Sequence, residues 1–195
     1  LEPDKVTGNT FMSKLNFYND SWPLKYSVCP CDVEFIIWLK NNKIINSNIF
    51  HFGTGNHHFV GSNTANSVLG ITASIEEYQE YIKLSIDKPH ISKNYKAFFG
   101  DIYLLDENLL PEFNIITLFH LCEYRTSIND EYSAMTDLEL LTMLTNKVKT
   151  QGYILFYTGS NGYNLTQSLI KDWLLSQQDI EEMPKFKSLR IFRKN

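Results

Sequence analysis

The chain has 195 residues, 43% hydrophobic and 21% charged, with a formal net charge of −4. That length is one domain with room for a terminal extension, and the hydrophobic share excludes wholesale disorder. The acidic balance argues against a general nucleic-acid binder, and no apolar run reaches the roughly 20 residues that span a bilayer.

Residues 1–29 are polar with scattered aromatics (Phe11, Phe17, Tyr18, Trp22, Tyr26) and show no clean period; they are expected to form an arm or lid, with residues 30–195 as a single domain. Asp32 reads as the cap of a helix running to about Asn41, with Val33, Ile36, Ile37 and Lys40 at helical spacing. Asn48 to Phe52 is a short buried-type strand leading into Gly53-Thr54-Gly55, and residues 56–66 form a short, weak helix. Ser67 to Thr72 is the second strand. Ser74-Ile75-Glu76-Glu77 has the pattern of a capping box, opening a helix to about Ser85. Tyr95 to Phe99 and Phe113 to Phe119 are the third and fourth strands. Thr136-Asp137-Leu138-Glu139 is a second capping box, and the helix behind it is broken by Gln151-Gly152 before a fifth strand, Tyr153 to Tyr157. Residues 165–176 form an amphipathic helix, and Ser188 to Arg193 is the last strand, paired with a short one near Ile180 to Met183.

Repeated strand–helix alternation predicts an α/β, doubly wound, mostly parallel sheet with helices on both faces and an antiparallel C-terminal edge strand. In such sheets ligands sit beyond the carboxyl ends of the strands. The segments to examine are therefore 53–58, 72–74, 100–102, 119–123 and 158–160. Gly53 and Gly55 permit a tight turn and close main-chain approach. The dinucleotide fingerprint needs glycine where His58 stands, and no phosphate-loop spacing exists.

The ordered series Ile49-Phe50-His51-Phe52-Gly53-Thr54-Gly55, Leu69-Gly70-Ile71-Thr72-Ala73-Ser74, Phe99-Gly100-Asp101-Ile102 and Leu110-Pro111-Glu112-Phe113-Asn114-Ile115-Ile116 resembles the class I, Rossmann-like S-adenosylmethionine-dependent methyltransferases. The resemblance covers roughly residues 30–195 and implies S-adenosylmethionine as cofactor. It places the cofactor against Phe52, Gly53, Thr54, Gly55, His57, Thr72, Ala73, Ser74, Asp101, Ile102 and Phe119. Asp101 is the position that, in the family, accepts from the adenine amino group. Three positions depart from the pattern: His51 replaces an acid two residues before the first glycine, His57 replaces a third glycine, and Thr72 replaces the acid that holds the ribose hydroxyls. Glu76 or Glu77 is the candidate substitute.

Methyl transfer needs a base only when the acceptor arrives protonated. Histidine titrates near neutrality, and His58 and His120 are the candidate catalytic residues, with Tyr124 a weaker one. The acidic chain points to a small-molecule acceptor and no nucleic-acid or membrane partner, with the arm and residues 121–135 (Tyr124, Arg125, Tyr132) shaping its pocket. Two other readings are carried. One is a non-catalytic binding or scaffold subunit of the same fold. The other is a metal-dependent enzyme in which His57 or His58, His120, Glu123 and Asp101 converge. The main reading assigns no metal. The cysteines Cys29, Cys31 and Cys122 form no disulfide framework and read as reduced thiols of a cytoplasmic protein. A chain opening on Leu1 reads as a fragment or a processed product.

Overall fold

Along the first strand, side chains alternate between two apolar layers: Ile49 joins one, Phe50 and Phe52 the other. That period of two is the mark of a strand buried on both faces. A computed structural model describes residues 30–195; the expected N-terminal arm lies outside the described residues.

The elements in order are α1 (Cys31–Asn41), β1 (Asn48–Phe52), α2 (Phe59–Ser62), β2 (Ser67–Thr72), α3 (Ile75–Asp87), β3 (Tyr95–Phe99), β4 (Phe113–Thr117), α4 (Ser127–Glu131), α5 (Asp137–Asn146), β5 (Val148–Tyr157), α6 (Tyr163–Ser176), β6 (Ile180–Phe186) and β7 (Leu189–Lys194). They build one seven-stranded sheet in the order β3-β2-β1-β4-β5-β7-β6. Strands β1 to β5 are parallel, and β7 runs antiparallel to both β5 and β6. Strand order reverses between β1 and β4, the switch point outside whose carboxyl ends ligands of such sheets bind. The doubly wound architecture and the reversed C-terminal strand are as the sequence predicted, with β6 taking the outer edge.

Two layers cover the sheet. Phe35, Ile36 and Leu39 of α1 and Tyr81 of α3 pack on Ile49, Val68, Tyr95, Ile115 and Leu155. Leu140, Leu141 and Leu144 of α5 and Ile170 and Trp173 of α6 pack on Phe50, Ile116, Ile154, Phe156 and Phe192. Each such side chain contributes about 1.5–3 kcal/mol by leaving water.

Local chemistry departs from expectation at three places. Pro30, not Asp32, precedes α1, and no side chain caps that helix. Ser74 Oγ accepts the Glu77 N–H as predicted, but the Glu77 carboxylate turns away from the cap. Gln151-Gly152 does not break a helix: β5 already begins at Val148, and the residues form a bulge where the β4–β5 register shifts, with Gln151 at φ 68°. The Thr136 capping box forms as read.

Candidate functional site

The turn after β1 is built from left-handed backbone. Gly53 (φ 85°), Gly55 (φ 57°) and His58 (φ 46°) all adopt it. Glycine does so freely, whereas an ordinary residue loses roughly 1–2 kcal/mol. His58 offsets that cost with both ring nitrogens. Its Nε2–H donates to the Glu77 carbonyl at 2.7 Å, and its Nδ1 accepts from the Tyr95 hydroxyl at 2.7 Å. The carbonyl can only accept, which fixes the tautomer. The ring is 2% exposed and ties the turn to α3 and β3. The structure therefore commits both nitrogens of His58 to the fold and leaves no lone pair at the rim.

Behind the turn, Asp32 sits between two histidines. Its Oδ1 lies 3.8 Å from His51 Nε2 and its Oδ2 lies 3.8 Å from His57 Nε2. His51 Nδ1 pairs with the Thr117 hydroxyl at 2.7 Å, and His57 Nδ1 accepts the Phe59 N–H at 3.1 Å, opening α2. Burial, reinforced by the neighbouring histidines His120, His57 and His58, pulls His51 down from 6.5 to about 3. Burial and then His58 and His120 pull His57 down to about 4. Both rings are neutral in the fold at pH 7, while the unfolded chain protonates them below about pH 6.5. The unfolded state then binds more protons, so stability rises with pH through this window. We expect stability to be complete above about pH 6.5 and to fall toward pH 4, with a slope of up to about 1.4 kcal/mol per pH unit for each histidine. Urea unfolding at stepped pH measures it; a flat profile between pH 6.5 and 4 contradicts the assignment.

At the end of β2, Thr72 Oγ1 donates to Glu77 Oε2 at 2.6 Å and Thr54 Oγ1 approaches the same oxygen at 3.4 Å. Glu77, 2% exposed, thereby brings a carboxylate back to the strand end that lacks one. Ser74 is buried beside it, with Ala73 half-buried at the turn. After β3, Asp101 Oδ1 accepts the Tyr103 N–H at 2.9 Å, while Oδ2 accepts from Asn129 Nδ2 at 2.8 Å and from the Tyr132 hydroxyl at 2.5 Å.

The turn after β4 carries the second constellation. The His120 ring lies so close over Gly53 that a Cβ added there would stand 2.8 Å from its Cδ2. His120 Nδ1 pairs with Glu123 Oε2 at 3.2 Å. Glu123 Oε1 accepts from the Ser160 hydroxyl and from the Asn161 N–H at 3.0 Å, so one carboxylate joins the turns after β4 and β5. Burial would raise the Glu123 carboxyl, but the His120 hydrogen bond and charge, with Ser160 and Tyr124, outweigh it and hold the carboxyl below its usual value. Tyr124 packs between His120 and the edge of Phe52.

The rim thus gathers Gly53, Thr54, Gly55, Thr72 and His120 around β1, β2 and β4. Phe119 is 1% exposed and packs on Phe35 and His51 in the core, and Ile102 is 3% exposed in the opposite layer. The metal reading is corrected: His57 turns to Asp32, His120 to Glu123 and Asp101 to Asn129 and Tyr132. Among the described residues no group of three His, Cys, Asp or Glu side chains is placed to hold a metal ion. Arg125, read as a possible acceptor contact, donates to Asp130 and the Met135 carbonyl. Sequence reasoning gave Asp32 only a capping role and missed Asn129, because nothing local marks a residue whose partner is distant in the chain, as His51 and His57 are from Asp32 and Asp101 is from Asn129. No described helix is long and apolar enough to cross a membrane. A cleft of about 430 Å³ lined by Ile36, Leu39, Lys40, Lys43 and Ile44 lies at the opposite, amino-terminal ends of the strands.

No protein-family model and no curated protein matches the sequence. Solved structures match nearly the whole chain. A candidate rRNA methylase from Clostridium thermocellum is 14% identical with a TM-score of 0.58, covering 89% of this chain and 100% of its own. The [4+2]-cyclase SpnF is 12% identical at 0.58, over 86% of this chain and 63% of its own. The N-methyltransferase NodS from Bradyrhizobium japonicum, solved with S-adenosyl-L-homocysteine, is 10% identical at 0.54, over 82% and 84%. Identities this low establish a shared fold, and a cyclase among the matches shows that the fold alone does not fix the reaction.

Proposed function

We propose that this chain, which has the fold of the class I S-adenosylmethionine-dependent methyltransferases, methylates a small-molecule acceptor with His120 as base and Glu123 as its positioning residue. The observation that carries the reading is the His120 ring set over the left-handed Gly53 with a buried carboxylate behind it. An adenosyl cofactor at this turn would meet the half-buried Gly53 beside the His120 ring, with Gly55 buried behind it. Asp101 Oδ2 already accepts twice and Oδ1 once, so an adenine amine would find one lone-pair position left, on Oδ1. When bound, the cofactor would supply a methyl group already activated on a sulfonium, so positioning carries most of the work.

The residues then divide as follows. Glu123 accepts from His120 Nδ1–H, which leaves Nε2 as the basic nitrogen. An acceptor hydroxyl or thiol at the rim would give its proton to that nitrogen, and an ammonium would have to lose its proton there before it had a lone pair to offer. The carboxylate stabilises the imidazolium that results. A small acceptor accords with the net charge of −4 and with a C-terminal basic cluster in which Arg190 is already paired to Glu182. A binding subunit on the same fold is the second reading, favoured by the largely committed carboxylate of Asp101.

Calorimetry with S-adenosylmethionine and S-adenosylhomocysteine separates the two. Micromolar binding of either supports the enzyme, and no heat with no thermal shift for both rejects it. Given an acceptor from a panel of phenols, thiols and amines, Glu123→Gln is expected to lower kcat about tenfold or more. It should also move the acidic limb of the rate profile to lower pH, while S-adenosylhomocysteine affinity stays constant. An unshifted limb would exclude Glu123 from the proton transfer.

A further inference from the structure

At the end of α1 the Ile44 N–H donates to the Leu39 carbonyl at 2.9 Å and the Lys43 N–H to the Lys40 carbonyl at 3.1 Å, the two bonds of a Schellman turn. Lys43 holds the left-handed position (φ 54°) that glycine usually takes in that motif. The turn folds Ile44 back onto the layer that contains Ile36 and Leu39. It also sets Lys43 and Lys40 on one cleft, at the amino-terminal ends of the strands. The facing wall comes from residues 63–66. Asn66, 2% exposed, ties the walls together. Its Oδ1 accepts the Ser47 N–H at 2.9 Å, and its Nδ2 donates to the Ile44 carbonyl at 3.1 Å and to Thr64 Oγ1 at 3.0 Å.

The cleft between them is therefore preformed, and its volume of about 430 Å³ is that of a small-molecule site. Its apolar lining runs from the buried Ile36 and Leu39 to Ile45, which is 68% exposed. Among the described residues its charged lining is Lys40 and Lys43; no carboxylate lines it, and neither lysine is in an ion pair. A helix C-terminus ordinarily repels anions, but here the Trp38, Leu39 and Lys40 carbonyls already accept N–H groups.

We propose that this cleft binds a small amphipathic anion, with an apolar body against Ile36, Leu39, Ile44 and Ile45 and a carboxylate or phosphate paired by Lys40 and Lys43. The apolar body supplies affinity by covering aliphatic surface that water now meets. The net charge of the chain is −4, so attraction for the head group is local to the two lysines and falls with salt. The site stands apart from the carboxyl rim and holds or fails independently of the methyltransferase reading.

Titration calorimetry below the micellar range with octanoate, decanoate, decyl phosphate, decanol and decylamine tests it. Decanoate is expected to bind roughly tenfold tighter than octanoate, at about three- to fourfold for each added methylene. Decanol and decylamine should bind about tenfold or more weaker than decanoate. Lys43→Gly relieves the left-handed backbone, so the unfolding temperature should hold or rise while decanoate affinity falls about threefold or more. Adding Lys40→Gln should bring that loss to about tenfold or more. Ala65→Trp, at an exposed position of the lining, should fill the cleft and abolish binding in a folded protein. Binding of neither anion overturns the proposal. So does decanol binding as tightly as decanoate, or wild-type affinity in the double lysine variant or in Ala65→Trp. Sedimentation with phosphatidylglycerol vesicles in the absence of binding to free decanoate would assign the lysines to a membrane surface and overturn it equally.

Discussion

Gly53→Ala is expected to abolish measurable S-adenosylhomocysteine binding while the protein still folds. Two effects add. Gly53 holds φ at 85°, where a Cβ brings strain of roughly 1–2 kcal/mol. The new methyl would also stand 2.8 Å from Cδ2 of His120. That ring cannot simply swing aside, because Nδ1 is held by Glu123, which is fixed in turn by Ser160 and Asn161. Relief must come from a shift of the turn after β4 or of the glycine turn, and either displaces the groups that a ligand at this rim would meet. Strain and clash together cost the folded state about 3 kcal/mol of stability, while the displaced turn is what removes the binding. Calorimetry and thermal unfolding of the variant measure the two parts. Wild-type affinity in Gly53→Ala would show that no ligand approaches this turn.

His58→Ala should have the largest effect on stability. It removes a ring that is 2% exposed and leaves the Glu77 carbonyl and the Tyr95 hydroxyl without their partner. A lost ring creates a cavity, and each of the two lost hydrogen bonds costs about 0.5–1.5 kcal/mol more. The substitution also keeps a non-glycine residue at a left-handed φ with nothing to offset it. We expect destabilisation of about 3–5 kcal/mol, or roughly 10 °C or more in unfolding temperature. Ligand affinity of the folded fraction should remain near wild type. A variant that unfolds like wild type yet loses turnover would return His58 to the chemistry, where the sequence had placed it.

His58 shows what sequence can and cannot resolve. Its position after Gly53-Thr54-Gly55 marked it as a rim residue, and it is in the rim turn. The two partners that turn its ring inward come from α3 and β3, 19 and 37 residues away. Glu77 repeats the pattern. The spacing Ser74 to Glu77 foretold the backbone bond of the cap, but the carboxylate is drawn to Thr72 and Thr54 at the ends of β2 and β1. His120 was identified from its place after β4; its link to Glu123 lies three residues on, and the closure onto Ser160 depends on β4 and β5 being neighbours.

Local periodicity and turn chemistry determined the elements, their order and the rim on which a ligand would sit, because alternating apolar positions and glycine turns act within a few residues. The β1 and β2 boundaries agree residue for residue with the sequence reading. Only the tertiary structure decided which polar groups at that rim are still available. Hydrogen-bond partners such as Asp101 with Tyr132, or Asp32 with His51 and His57, are set by strands and helices meeting in space. A side chain's chemistry follows from what it faces once the chain has closed.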